Sequence, residues 1–279
     1  MSSTDQIPPQ IPPLPDNAPL RRVETRPYAT GRTIMALILR EMSTRYGRTP
    51  GGYIWAVLEP LGMIIVLSFG FSLLLRSPSL GTSFILFYST GYLPFNLFNS
   101  LSNATSKALT FSKALLKYPA VTWVDAILAR FILNGLTSIM VMYILLFGIL
   151  TVVESNTVID FIPIIQAVGL AMLLGLGIGT LNCFLTGMFP AYQMAWSIAT
   201  RPLMLASAVI YVYEDLPSAA QDVLWFNPLV HITGLARTGF FPTYNPGYLS
   251  LVYVASIGLI SLAAGVMLLR RHHIDMMNT

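Results

Sequence analysis

Six apolar runs divide the chain, at roughly 56–75, 84–105, 127–151, 161–187, 194–213 and 248–269. Each is near or above the ~20 residues an α-helix needs to cross ~30 Å of hydrocarbon, so the pattern predicts six spans. Ahead of the first, residues 32–46 predict an amphipathic helix. Ile34, Met35, Ile38, Leu39, Met42 and Tyr46 share one face at 3.6-residue spacing, opposite Arg32, Arg40, Ser43 and Thr44. Such a helix lies in the headgroup layer. Between the second and third runs, TSKALTFSKALLKYPAVTWVD predicts a short helix over 111–118 that exposes leucines beside lysines. After the fifth run, Ser218–Phe226 and Leu229–Gly239 are apolar but too short to cross, and Asn227-Pro228 breaks them apart. Two helices dipping back from one face fit this pattern, with the break buried in protein or lining a wet cavity. The expected fold is an all-α membrane protein: six transmembrane helices, an N-terminal amphipathic interface helix, and two short re-entrant helices before the last span.

The basic residues orient it. Arg21, Arg22, Arg26, Arg32, Arg40, Arg45 and Arg48 precede the first run. Lys107, Lys113 and Lys117 follow the second, and Arg270 and Arg271 close the sixth. The opposite loops hold Arg76 and Arg237 beside Glu154, Asp160, Glu214, Asp215 and Asp222. Both termini are therefore expected on the cytoplasmic side of a bacterial inner membrane. Composition agrees: of 279 residues 54% are hydrophobic and 10% charged, against about 25% charged in soluble domains. A net charge of +4 argues for orientation and membrane-lipid contact rather than nucleic-acid binding. One cysteine excludes an intrachain disulfide and a cysteine metal site. Residues 1–31, with six prolines in the first twenty, read as an extended cytoplasmic tail without a cleavable signal, and 32–279 as the membrane domain.

The chemistry is spread thinly. In the second run Tyr88, Tyr92, Asn96, Asn99 and Asn103 recur at steps of three or four and stack on one face that Pro94 interrupts. That stripe suits either hydrogen bonding between helices or a glycan conduit. In the fourth run Ala171, Gly175, Gly179, Cys183 and Gly187 form a small-residue ladder for close packing, within the chain or at a subunit seam. Glu59, Arg130 and Arg201 fall inside spans near one edge, where charges snorkel or pair; the alternative puts Arg130 and Arg201 at an inner vestibule that meets an anionic substrate. His231, His272 and His273 form no ligand cluster, and no metal or catalytic residues are expected. There is no GxxxxGK[ST] phosphate loop, and Gly-Lys does not occur, so an ATP-driven process would need a separate ATPase.

These segments resemble a family. STRYGRTPGGYIWAVLEP, FSKALLKYPAVTWVDAILAR and FNPLVHITGLAR are similar to segments of the capsular polysaccharide export permeases, the membrane subunits of type-2 ABC exporters. The resemblance extends from about residue 32 to the C-terminus. It implies a homodimer bound to two copies of an ABC ATPase subunit, with ATP and Mg on the ATPase and no cofactor on this chain. It also implies periplasmic co-polymerase and outer-membrane export partners, and a lipid-linked polysaccharide moved from cytoplasm to periplasm.

By position, 32–46 becomes a gate helix, 216–239 the outer gate helices, and 111–118 the coupling helix, with Phe111, Lys113, Leu115, Leu116, Lys117 and Tyr118 facing the ATPase. The expected substrate pathway runs past Arg40, Arg45, Arg201, Tyr88, Tyr92, Asn96, Asn99, Trp225 and Phe226, along a seam of the first and fifth spans. A permease for another lipid-linked polymer, O-antigen or teichoic acid, is the alternative. An ion-coupled glycolipid flippase is disfavoured because no titratable group sits at the centre of a span.

Overall fold

The computed structural model describes residues 29–46, 52–116, 121–153 and 158–278, and no strand occurs among them. The interface helix is α1 (Ala29–Tyr46). Gly52, with φ of +43°, turns the chain at the basic junction into α2 (Ile54–Ser72), a left-handed conformation suited to glycine. The central helix, α3 (Phe84–Ser106), is followed by the short α4 (Ala108–Ser112). A capping box of Thr122 and Asp125 starts α5 (Trp123–Val152). Asp160 caps α6 (Phe161–Met188) through the Ile162 amide at 3.0 Å. Pro190 opens α7 (Pro190–Ala206), and the short α8 (Ser218–Leu224) follows. Asn227 caps α9 (Pro228–Phe240), and the chain closes with α10 (Leu251–Asn278).

Among the described residues four helices are long and apolar enough to cross a bilayer: α2, α5, α6 and the Leu251–His273 stretch of α10. Two expected spans, α3 and α7, do not meet that description. The 23 residues of α3 are diluted by three asparagines and several hydroxyls, and α7 has 17 residues and carries Arg201. The cost of polar groups is met in α3 by burial, since most of it packs inside the bundle against α2, α5, α6 and α9. The expected fifth span, 194–213, ends early at Ala206. Arg237 holds the carbonyls of Val209 and Tyr211, at 2.8 and 2.7 Å, which a continuing helix would use itself.

The small-residue ladder of α6 packs within the chain. A Cβ on Gly175 would press on Leu101, and one on Gly179 on Thr105, both of α3. On the opposite face Gly177 meets the backbone carbonyl of Gly258 in α10, with no room for a side chain. Two short helices form on either side of Asn227-Pro228. Eleven residues of α9 are buried and none of α8.

Two expected helices are corrected. The helix placed at 111–118 occupies 108–112, because Ala108 and Leu109 bury against Ile127, Phe184 and Leu269. Turns continue to Leu116; Lys117 and Tyr118 lie outside the described residues. Leu115 and Leu116, expected exposed, are half-buried. Among the described side chains of α1, Leu37 is buried, whereas Met35, Leu39 and Met42 remain exposed. The apolar stripe is thus split between the bundle and the outside.

Replacing Gly177 by Val should separate α6 from α10, at about 1–3 kcal/mol. Thermal unfolding in detergent should show a clear fall for Gly177→Val. Gly148→Ala, where the added Cβ meets nothing within 4 Å, should show none.

Candidate substrate cleft

One ion pair builds the site. Arg130, near the start of α5, donates from Nε to Glu41 Oε2 and from Nη2 toward Oε1, both at 3.0 Å. Its Nη1 reaches the Ala104 carbonyl at 3.2 Å, and its guanidinium lies 4.2 Å from the Phe111 ring centroid. The two side chains are 9% and 17% exposed, so α1, α3, α4 and α5 meet at a largely dry pair. Bidentate geometry of this kind is the strong form of an Arg–carboxylate contact.

Around the pair lies a cavity of about 470 Å³, lined among others by Leu37, Arg40, Asn103, Lys107 and Phe111. A second cavity, of about 420 Å³, opens between α2, α3 and α5. Its lining includes Trp55, Glu59, Asn96, Asn99, Asn134, Thr137 and Ser138. Ser100 and Asn103 line both, so the two cavities adjoin along a polar cleft between α1, α2, α3 and α5. Within it Asn103 donates to Asn99 at 2.9 Å, Asn134 to the Arg130 carbonyl at 2.8 Å and Thr137 to the Leu133 carbonyl at 2.8 Å. A groove of about 590 Å³ runs outside α1, past Arg32, Arg40, Leu115 and Val121.

The structure brings Arg40, Asn96, Asn99 and Phe111 to this cleft, whereas Tyr88, Tyr92, Arg201, Trp225 and Phe226 lie elsewhere. Tyr88 and Tyr92 are buried in the apolar core, where Tyr88 packs on Phe71, Phe84 and Phe87 at 5.2–6.4 Å. Their face continues that of the asparagines, but α2 closes over it at Phe71 and opens at Trp55. Arg45 sits in the last turn of α1, and its side chain is outside the described residues. Arg201 is exposed on α7, a helix with no buried residue. Lys113 is half-buried beyond α4. The sequence reading missed Trp55, Asn134 and Thr137 as lining residues, and Glu41 as the partner of Arg130. The four-residue step from Arg130 to Asn134 to Ser138 was the available signal.

Trp225 and Phe226 lie at the other end of the bundle, in an aromatic plug. Trp225 packs on His231 and Tyr253 with centroids at 5.3 and 5.0 Å, and Phe226 is exposed. Arg237 is fully buried there, 4.3 Å over the Phe87 ring. Tyr244 donates to Glu214 at 2.9 Å; burial and that carboxylate push its pKa well up, and burial pushes Tyr248 up to about 12. His231 is neutral by geometry: Nδ1 accepts from the Ser250 amide at 3.2 Å and Nε2 lies 2.9 Å from the Trp225 carbonyl. Burial lowers its pKa.

The fold therefore favours neutral His231. That contribution is present above the ordinary pKa of about 6.5 and is lost as pH falls through the lowered value. Melting temperature should drop from pH 7.5 to 5, and the drop should shrink in His231→Gln.

The structure is thus a helical bundle with apolar spans, a polar cleft at one end and an aromatic plug at the other. Among the described residues no group of three or more His, Cys, Asp or Glu is placed to hold a metal. The ABC-2 type transporter family matches residues 32–241. The chain is 31% identical over 238 residues to the polysialic acid transport protein KpsM of Escherichia coli, covering 85% of this chain and 92% of that protein. It is 28% identical to the capsule polysaccharide export inner-membrane protein BexB of Haemophilus influenzae, with 86% and 91% covered. To the O-antigen export system permease protein RfbA of Klebsiella pneumoniae it is 23% identical, with 80% and 86% covered. The chain belongs to the ABC-2 type transporter family.

Proposed function

We propose that this chain is the permease subunit of an ATP-driven exporter that moves a lipid-linked capsular polysaccharide from cytoplasm to periplasm. The observation that carries the reading is the match to a polysialic acid transporter over 92% of that protein's length. The geometry supports it: the cleft at the α1 end is lined by Arg40 and Lys107 beside the Arg130–Glu41 pair, a polar mouth that suits an anionic lipid-linked substrate.

In this reading α3 and α7 cross the bilayer with the four apolar helices, and both termini are cytoplasmic. The short α8 and α9 dip back from the periplasmic face. The near-complete burial of α9 supports that placement, because short helices at depth need protein around them. The bare face of α7, with Met194, Ile198 and Leu205 exposed, meets a second copy, and Arg201 lies along that seam. The polymer passes between the two copies and leaves past Trp225 and Phe226. The ATPase, which holds ATP and Mg, pushes on α4 and the turns after it. Ala108 and Leu109 root that element in the bundle, while Phe111 is 63% exposed and joins it to the Arg130 pair. Force there reaches α1 and α5 together. Periplasmic and outer-membrane proteins take the polymer onward. Export of an O-antigen is the second reading, favoured by the similarity to RfbA.

Deleting the gene should leave polymer inside the cell, and the tagged chain should copurify with an ABC ATPase. Phe111→Asp should abolish that copurification. Normal export without the gene would overturn the proposal, and the chemistry of the trapped glycan separates capsule from O-antigen.

A further inference from the structure

Two helices carry one charge each, and each leaves that charge on a bare face. In α2 a strip of Trp55, Glu59, Gly62, Val66, Phe69 and Leu73 runs at steps of four, three, four, three and four. All but Gly62 are exposed, and a Cβ added at Gly62 or at Gly70 would meet nothing within 4 Å. In α7 the exposed strip is Met194, Ile198, Arg201 and Leu205, again at steps of four and three. Spacing of this kind is the seam of two helices packed side by side. Glu59 and Arg201 are the only charged residues of α2 and α7. Neither is in an ion pair or a side-chain hydrogen bond among the described residues. They do not meet within one copy, where α7 packs on α6, and α2 on α3 and α5.

We propose that α2 of one copy packs along α7 of a second, with Glu59 of each copy paired to Arg201 of the other. This rests on the reading that the bare face of α7 meets a second copy. It adds the helix that meets it and the ion pair that fixes the register. Depth agrees. Glu59 lies four residues beyond Trp55 and Arg201 five beyond Trp196, about 6 and 7.5 Å along the axis. Tryptophans settle at the membrane interface, so with both helices running outward the two charges lie at matching depth. A charge facing hydrocarbon alone is costly, and a carboxylate beside a guanidinium answers both costs at once. An anionic lipid would answer Arg201 but not Glu59. Gly62 and Gly70 let the backbone of the partner helix come close. A two-fold axis makes the contact twice. Glu59 stands at the open rim of the second cavity, so the neighbouring copy's α7 lies over that rim.

Charge reversal in the full chain, coexpressed with its ATPase, tests the pairing. Glu59→Arg and Arg201→Glu are each made in two differently tagged versions, and copurification of the tags in detergent reads the contact between copies. Expressed alone, either variant faces itself with like charges twice, and copurification of its tags should fall by more than about tenfold. Expressed together, the two single variants form a mixed dimer with one native and one reversed pair. That mixture should copurify as the wild type does and should restore export. A pair within one chain predicts recovery only when both changes are in the same chain, so a mixture that fails to recover overturns the proposal. Wild-type copurification by either single variant also overturns it. Should the reversed variants not accumulate, Glu59→Cys on one tagged chain and Arg201→Cys on the other, both with Cys183→Ala, should be joined by a short bismaleimide; chains that stay separate overturn the proposal. Wild-type tags that do not copurify would overturn the pair and the seam together. Recovery in the mixture beside normal export after gene deletion would overturn the export reading and leave this contact standing.

Discussion

The Arg130–Glu41 pair is the constraint on which the rest of this end of the molecule depends. A surface ion pair contributes little, but here both side chains are mostly withdrawn from water, and removing either partner leaves a buried charge at a cost of about 3–5 kcal/mol. The pair gains from the Ala104 carbonyl and the Phe111 ring, so one guanidinium joins four helices. Among the described side chains of α1, only Leu37 is otherwise well buried. Without the pair, α1 would be held by a thin apolar edge, and the outer wall of the cleft would go with it.

Elsewhere the bundle is held by close packing, as a protein surrounded by lipid requires. Helices in hydrocarbon gain nothing from hiding leucine from leucine, so contact depends on shape. The two faces of α6 show this, with Gly175 and Gly179 admitting α3 and Gly177 meeting Gly258 of α10. At the far end Arg237 does with hydrogen bonds what glycine does with space. Its two carbonyl contacts tie the segment after α7 to α9, and Phe87 ties both to α3. The cleft end and the plug end thus share α3, whose asparagines face one and whose aromatic residues support the other.

Local patterning made much of this legible. The apolar runs and the Asn-Pro break act over a few residues, and the helices follow them. What escaped depends on contacts far apart in sequence. Glu41 and Arg130 are 89 residues apart, and neither has a neighbour that names the other. The early end of α7 is imposed by Arg237, 26 to 28 positions onward. The Tyr–Asn stripe was read as one face, which it is, but spacing alone cannot say that α2 lies close at Phe71 and apart at Trp55. Glu59 was visible as a costly charge, and its place beside four asparagines needed the packing of three helices.

The most direct test of the central claim is a double-mutant cycle on Glu41→Gln and Arg130→Met, read by reversible unfolding in detergent. Each single change should be strongly destabilising, and the double change should recover part of the loss, with a coupling energy of about 1–3 kcal/mol. Additive effects within about 0.5 kcal/mol would mean that the pair does not hold α1, and that the cleft has no wall of the kind described.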